Sequence, residues 1–135
     1  MIFLGTIEDI HNFDSLAKEH WKEFNKQEPC FNKEILGHFP VIICKEDNNI
    51  VGYVFFLVFN SPYYAEKWAQ VDMFYLKPEY RHKGIGTKMF NMLIDLVKSE
   101  GCKRVLSSYN NKKPLASFYD NLGFSSTHVA VVKEI

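Results

Sequence analysis

The run Arg81-His82-Lys83-Gly84-Ile85-Gly86 joins two cationic side chains to two glycines just ahead of an amphipathic stretch. Gly84 and Gly86 free the backbone for close approach to a ligand. The first N–H groups of a helix that follows have no intrahelical partner, and the helix dipole adds partial positive charge there. Together these features form an anion site suited to phosphate. Arg81, Lys83 and Lys88 add full charges. A dinucleotide fingerprint needs a third glycine where Met89 stands, and a Walker loop needs a closing Gly-Lys-Ser/Thr that is missing. Two other side chains carry titratable groups: Tyr119, a phenol on a short helical stretch, and Asp72, a carboxylate in a strand-like run where such a residue is unusual. Each has a plain structural alternative: Tyr119 as a core aromatic beside Phe118, and Asp72 as a buried carboxylate satisfied by backbone donors.

The elements that must position these groups are legible as periodicities. Thr6-Ile7-Glu8-Asp9 has capping-box spacing, and Ile10, Phe13, Ala17, Trp21 and Phe24 recur at helical intervals, which predicts a helix over Glu8–Asn25. A short helix is expected near Lys33–Gly37. The apolar runs Val41–Cys44 and Ile50–Phe59 flank Asp47-Asn48-Asn49 and form a hairpin. A strand over Trp68–Leu76 follows, and alternation puts Trp68, Gln70, Asp72, Phe74 and Leu76 on one face. Then come a helix over Gly84–Glu100, closed by Gly101, and a strand at Val105-Leu106. A short helix opens at Pro114 and ends at Gly123, with Leu115, Phe118 and Leu122 inward. A last strand is expected over His128–Lys133. This order predicts an α/β (α+β) domain around one central sheet.

The totals narrow the function. The 135 residues fit one domain, 1–135, and 47% hydrophobic content makes it globular. Sixteen basic and sixteen acidic side chains cancel, which argues against nucleic acid or an anionic membrane surface as main partner. Five scattered histidines and three cysteines without ligand spacing assign no metal. Cys30, Cys44 and Cys102 read as reduced thiols of a cytoplasmic protein. The start of the sequence lacks the basic region of a signal peptide, and no apolar stretch reaches membrane-spanning length.

Arg-x-x-Gly-x-Gly, within Leu76-Lys77-Pro78-Glu79-Tyr80-Arg81-His82-Lys83-Gly84-Ile85-Gly86, resembles the pyrophosphate-binding signature of the GNAT acetyltransferase superfamily. Phe118-Tyr119-Asp120-Asn121-Leu122-Gly123-Phe124 resembles that family's downstream Phe-Tyr-x-x-x-Gly-Phe segment. The likeness is good from Trp68 to Phe124 and extends to the first 60 residues only in element order. It implies a mixed, mostly antiparallel sheet splayed at two parallel strands and flanked by helices. It also implies acetyl-CoA as cosubstrate and direct attack of an amine on the thioester. By resemblance, the cofactor set is Phe74, Tyr75, Leu76, Arg81, His82, Lys83, Gly84, Ile85, Gly86, Thr87 and Asn111, with Tyr119 as general acid and Asp72 as base or acceptor contact. The asparagine that many relatives hold seven residues before the tyrosine is Lys112 here, with Asn111 one residue earlier. The expected reaction is N-acetylation of a primary amine on a small molecule or a protein, with room for a homodimer. Two rival readings share the fold: a catalytically weak CoA-binding sensor or interaction module, and a modifier that acetylates a partner's lysine.

Overall fold

A computed structural model describes residues 1–24, 29–110 and 115–135. Five strands form one sheet in the order β1-β2-β3-β4-β5: β1 (Ile2–Gly5), β2 (Val41–Glu46), β3 (Asn49–Asn60), β4 (Lys67–Leu76) and β5 (Cys102–Leu106). The first three pairings are antiparallel, and β4 and β5 run parallel. Among the described residues there are four α-helices: α1 (Phe13–Phe24), α2 (Lys33–Leu36), α3 (Ile85–Ser99) and α4 (Ala116–Asn121). No helix among the described residues is long and apolar enough to cross a membrane.

Each face of the sheet carries its own core. Ile10, Phe13, Leu16 and Ala17 pack on Tyr53, Phe55, Met73 and Tyr75. On the other face Met89, Phe90, Leu93 and Val97 of α3 pack on Val54, Phe56, Ala69 and Val71, with Tyr119 of α4 beside them. The β2–β3 turn has positive φ at Asp47 (49°) and Asn48 (64°). That is the type I′ geometry matching strand twist, and short polar side chains tolerate it. Gly101, with φ of 90°, ends α3 as its position suggests.

Several expectations change. The segment expected as one helix from Glu8 is broken. Asp9 Oδ2 accepts from Thr6 N at 2.8 Å and closes a single 3-10 turn over Ile7–Asp9, and the α-helix starts only at Phe13. The break lets Ile7, Ile10 and Phe13 all reach the same core. Ile2–Gly5 forms an edge strand that four residues were too few to announce. The strand β5 begins three residues earlier than expected, at Cys102. In α4 the most buried residue is Tyr119 rather than the expected stripe of Leu115, Phe118 and Leu122. The expected strand over His128–Lys133 is absent, and those residues lie exposed. A β-prone sequence becomes a strand only with a ladder partner, and this one makes no ladder with the described strands.

The change that matters most lies in β4. Phe55 pairs with Met73 but Phe56 pairs with Val71, so Asp72 is an extra residue, a β-bulge. Side-chain parity inverts across it. Ala69 and Val71 face α3, whereas beyond the bulge Phe74 and Leu76 do so, and Met73 and Tyr75 face α1. Trp68 and Gln70 therefore do not share a face with Phe74 and Leu76, contrary to simple alternation.

Candidate functional site

The ladder between β4 and β5 runs only from Lys67↔Cys102 to Gln70↔Leu106. From the bulge onward β4 has no β5 partner among the described residues. The sheet thus opens between the second half of β4 and the segment that follows Leu106.

The N-terminus of α3 stands against this opening. Gly84 is its N-cap, at φ of 81°, with no side-chain cap and no acid in the first turn. Lys88 N donates to Gly84 O at 3.1 Å, so the amides of Ile85, Gly86 and Thr87 before it are left outside the helical ladder. A Cβ on Gly84 would meet nothing within 4 Å, which leaves an open concavity. His82 also adopts positive φ, 61°, which turns the backbone ahead of the helix. These amides, with Lys83 and Lys88 nearby in sequence, fit a pyrophosphate. Gly86 plays a second part: its Cβ would sit 3.4 Å from Phe74 Cζ and 3.5 Å from Phe118 Cε1. Its missing side chain thus seats α3 on the stacked Phe74–Phe118 pair, whose centroids are 5.5 Å apart.

Arg81 has a different employment from the one its motif position suggests. Its Nε donates to Leu76 O at 2.8 Å, and its guanidinium pairs with Glu23 of α1. It also lies 5.5 Å above the Tyr75 ring. The strap is doubled by Lys77, 3.6 Å from Glu19. Tyr75 and Leu76 are both nearly buried. Burial and the carboxylates of Glu23 and Glu19 push the Tyr75 phenol up to about 12.

On the β5 side, Tyr119 Oη lies 2.7 Å from Ser107 Oγ, just past the last ladder residue. The Tyr119 ring packs edge-on against Phe90 and stacks on Tyr109. Burial raises its pKa, with the Ser107 hydrogen bond opposing. The phenol therefore stays protonated at neutral pH. Asp72 is exposed at the bulge, and its pKa is raised by partial desolvation. It makes no hydrogen bond or ion pair among the described residues. Asn111, with Lys112 and Lys113, lies outside the described residues. The opening thus brings Phe74, Gly84, Ile85, Gly86 and Thr87 together with Tyr119, while Arg81 turns toward α1.

Three groups were not singled out from the sequence. Ser107 gives no signal, because a serine after a strand is ordinary. Glu23 sits in the polar phase of an amphipathic helix. His20 Nδ1 lies 2.7 Å from Tyr53 Oη and its ring stacks on Tyr75 at 4.8 Å. Burial, aided by Arg81, lowers its pKa to about 4. Tyr53 is fully buried, with His20 the only hydroxyl partner among the described residues, so its O–H is best satisfied by donating to Nδ1.

The family model described as acetyltransferase (GNAT) family matches residues 6–124. No curated protein gives a significant match. Among solved structures, a ribosomal-protein-alanine N-acetyltransferase from Brucella melitensis biovar Abortus 2308 superposes with a TM-score of 0.80 at 19% identity, covering 100% of this chain and 99% of that one. An acetyltransferase from Trypanosoma brucei gives 0.79 at 16% identity, covering 100% and 99%. An aminoglycoside acetyltransferase from an uncultured soil metagenomic sample, solved with sisomicin, gives 0.76 at 17% identity, covering 100% and 93%. At such identities the likeness to these structures speaks for the fold.

Proposed function

This chain belongs to the acetyltransferase (GNAT) family, and on that premise we propose that it transfers the acetyl group of acetyl-CoA to a primary amine by direct attack. The family is one of acyl transfer from acetyl-CoA. The observation that carries it is the opening where the β4–β5 ladder stops, flanked by uncapped α3 amides and by the Tyr119 hydroxyl.

In this reading the amides of His82 to Thr87 hold the pyrophosphate, with Lys83 adding charge. The unpaired stretch of β4 up to Leu76 offers backbone groups to the pantetheine arm, and by family resemblance Asn111 belongs to the same cofactor set. Arg81 contributes by holding the loop to α1, and it need not touch phosphate. Acetyl-CoA supplies the acetyl group as an activated thioester. The amine nitrogen forms the new C–N bond, and the C–S bond breaks. Tyr119 gives its proton to the departing sulfur while Ser107 Oγ–H donates to the phenolic oxygen and steadies its developing charge. Asp72 takes the amine proton through a water. The products are an amide and free CoA thiol. Residues 1–135 act as one catalytic domain in the cytoplasm, with no resident metal.

The first test is binding. Acetyl-CoA at about 100 times its dissociation constant should stabilise the fold by roughly 2.7 kcal/mol. No thermal shift at millimolar acetyl-CoA counts against the reading. Binding without any amine-stimulated thiol release favours the sensor alternative.

A further inference from the structure

Among the described residues, no helix covers half of one sheet face. Packing of α1 and α2 covers Tyr53, Phe55, Met73 and Tyr75. The register pairs Leu57 with Gln70 and Phe59 with Trp68, and parallel pairing adds Arg104 beside Trp68 and Leu106 beside Gln70. Their strand neighbours Phe56, Val58, Ala69 and Val71 belong to the core under α3, so these six face the other way. Leu57 and Gln70 are exposed, and Phe59 and Trp68 are half-buried. The bulge residue Asp72 borders this surface.

We propose that this bare face is the acceptor surface, and that it selects a primary amine carried on a flat apolar group, an aryl-alkyl amine. The proposal rests on the acyl-transfer reading above and names its substrate class.

The indole of Trp68 is a fixed wall. Its Nε1 donates to Glu66 Oε1 at 2.7 Å, and Phe59 packs edge-on at 6.1 Å. With the Tyr64 ring also 5.8 Å away and tilted by 36°, the indole is held on several sides and meets a ligand without reorganising. Arg104 is the face's only cation among the described residues, and its charge is already met. Its Nε lies 3.3 Å from Glu66, and its guanidinium rests 5.1 Å from the Trp68 ring and 5.3 Å from Tyr64. Asp72 has no such partner among the described residues. The surface therefore offers one uncompensated carboxylate at the end nearest the opening, then aliphatic and aromatic area leading away from it. Charge complementarity asks for an ammonium at Asp72 with an apolar body behind it. Four residues of strand span roughly 13 Å. A ring on a short alkyl arm covers part of that distance from Asp72, lying over Leu57 and Gln70 with the large Trp68 side chain reaching its far edge. A polycation or a polyhydroxylated amine gains little here. It would meet a single free carboxylate and would bury hydroxyls against Leu57 and Phe59 without partners.

The experiment compares 2-phenylethylamine, spermidine, sisomicin and a lysine-containing peptide by CoA thiol release. Quenching of tryptophan fluorescence by each amine is measured without cofactor, and the acetyl-CoA thermal shift is recorded separately. The expected result is a kcat/KM for 2-phenylethylamine about tenfold or more above the others, the ratio that an extra 1.4 kcal/mol of contact gives. Trp68→Leu should raise its KM by a similar factor at nearly unchanged kcat and abolish the quench, with the acetyl-CoA shift retained. Gln70→Arg, at an exposed position, should raise KM in the same way and serves if Trp68→Leu folds poorly. Preference for spermidine, sisomicin or the peptide overturns the proposal, as does an unchanged KM in both variants. Absence of the acetyl-CoA shift overturns the acyl-transfer reading itself. The fluorescence titration then still judges the surface, and no quench by 2-phenylethylamine refutes it.

Discussion

The guanidinium of Arg81 reaches across from the glycine loop to Glu23 of α1, with Nη2 2.9 Å from Oε1 and 2.8 Å from Oε2. Both side chains are largely withdrawn from water. The same guanidinium caps the carbonyl of Leu76, the last residue of β4. One side chain thus ties together the strand beside the opening, the phosphate loop and the helix over the opposite face.

Removing this tie should be felt in the empty protein. Glu23→Gln leaves a half-buried guanidinium short of its charge partner, and we expect a loss of about 2–3 kcal/mol, read as a drop in Tm without ligand. Arg81→Lys should not restore it, because an ammonium cannot serve the carbonyl and the carboxylate with Arg's fork. If Arg81 served chiefly the phosphates, Arg81→Ala would instead leave the apo Tm alone and weaken acetyl-CoA binding.

The two motif glycines should fail in different ways. Gly84 sits at φ of 81° with open space around a Cβ, so Gly84→Ala costs backbone strain of about 1–2 kcal/mol without a clash. Gly86→Val pushes into Phe74 and Phe118, and it should lower both Tm and acetyl-CoA affinity by shifting the helix start. Gly86→Ala, at contacts of 3.4 Å and longer, should be mild. Calorimetric titration of each folded variant with acetyl-CoA separates the two effects.

His20 predicts an acid sensitivity. Its pKa is about 4 in the fold and 6.5 as a free side chain. Between those values the unfolded chain binds more protons, so folding stability rises with pH there. The contribution is whole above about 6.5 and is lost as pH falls toward 4. Trp21 and Phe24 pack edge-on against the ring, and of the titratable groups facing it, Tyr53, Tyr75 and Arg81, only Arg81 is charged in this range. Urea unfolding at pH 7 and pH 5 should show a smaller drop for His20→Gln than for the parent. Equal drops would mean that the imidazole is solvated in the native state.

How far the sequence reveals this site depends on the kind of signal each residue leaves. The α3 start is local: glycines, cations and the helix phase that follows are all written within ten residues, and the strand before them is a plain β-prone run. The bulge at Asp72 is not local. It arises because β3 and β4 slip by one residue between Phe55 and Phe56, and nothing in Gln70-Val71-Asp72-Met73 marks it. The strap from Arg81 to Glu23 joins positions 58 apart, and the Tyr119–Ser107 pair depends on how α4 docks. The tail shows the reverse case, where Val129, Val131 and Val132 have strand propensity but no strand beside them to supply hydrogen bonds.

Tyr119→Phe is the decisive variant for the chemistry. A departing CoA thiolate is a moderately weak base, and a positioned O–H donor eases its expulsion. Tyr119 meets the geometric demand: its hydroxyl sits at the mouth of the sheet opening, 2.7 Å from Ser107 Oγ, with the ring held by Phe90, Phe118 and Phe124. Burial keeps the phenol protonated, so the proton is present when needed. Phenylalanine retains the ring and its packing, and the lost hydrogen bond to Ser107 should cost only about 1 kcal/mol of stability. Acetyl-CoA affinity should hold, since the amides of the α3 loop are untouched. The turnover number with a true acceptor should fall about 10²–10⁴-fold, the usual share of a general acid. The loss should appear equally in kcat and kcat/KM, the mark of an interaction made only in the transition state. Ser107→Ala should give a smaller loss of the same kind, because it removes the donor that steadies the phenolate but leaves the proton in place. Wild-type turnover in Tyr119→Phe would make the hydroxyl a packing group that serves Ser107 alone, with water protonating the thiolate. A drop in both variants confined to KM would place the pair in binding and take the general-acid role from Tyr119.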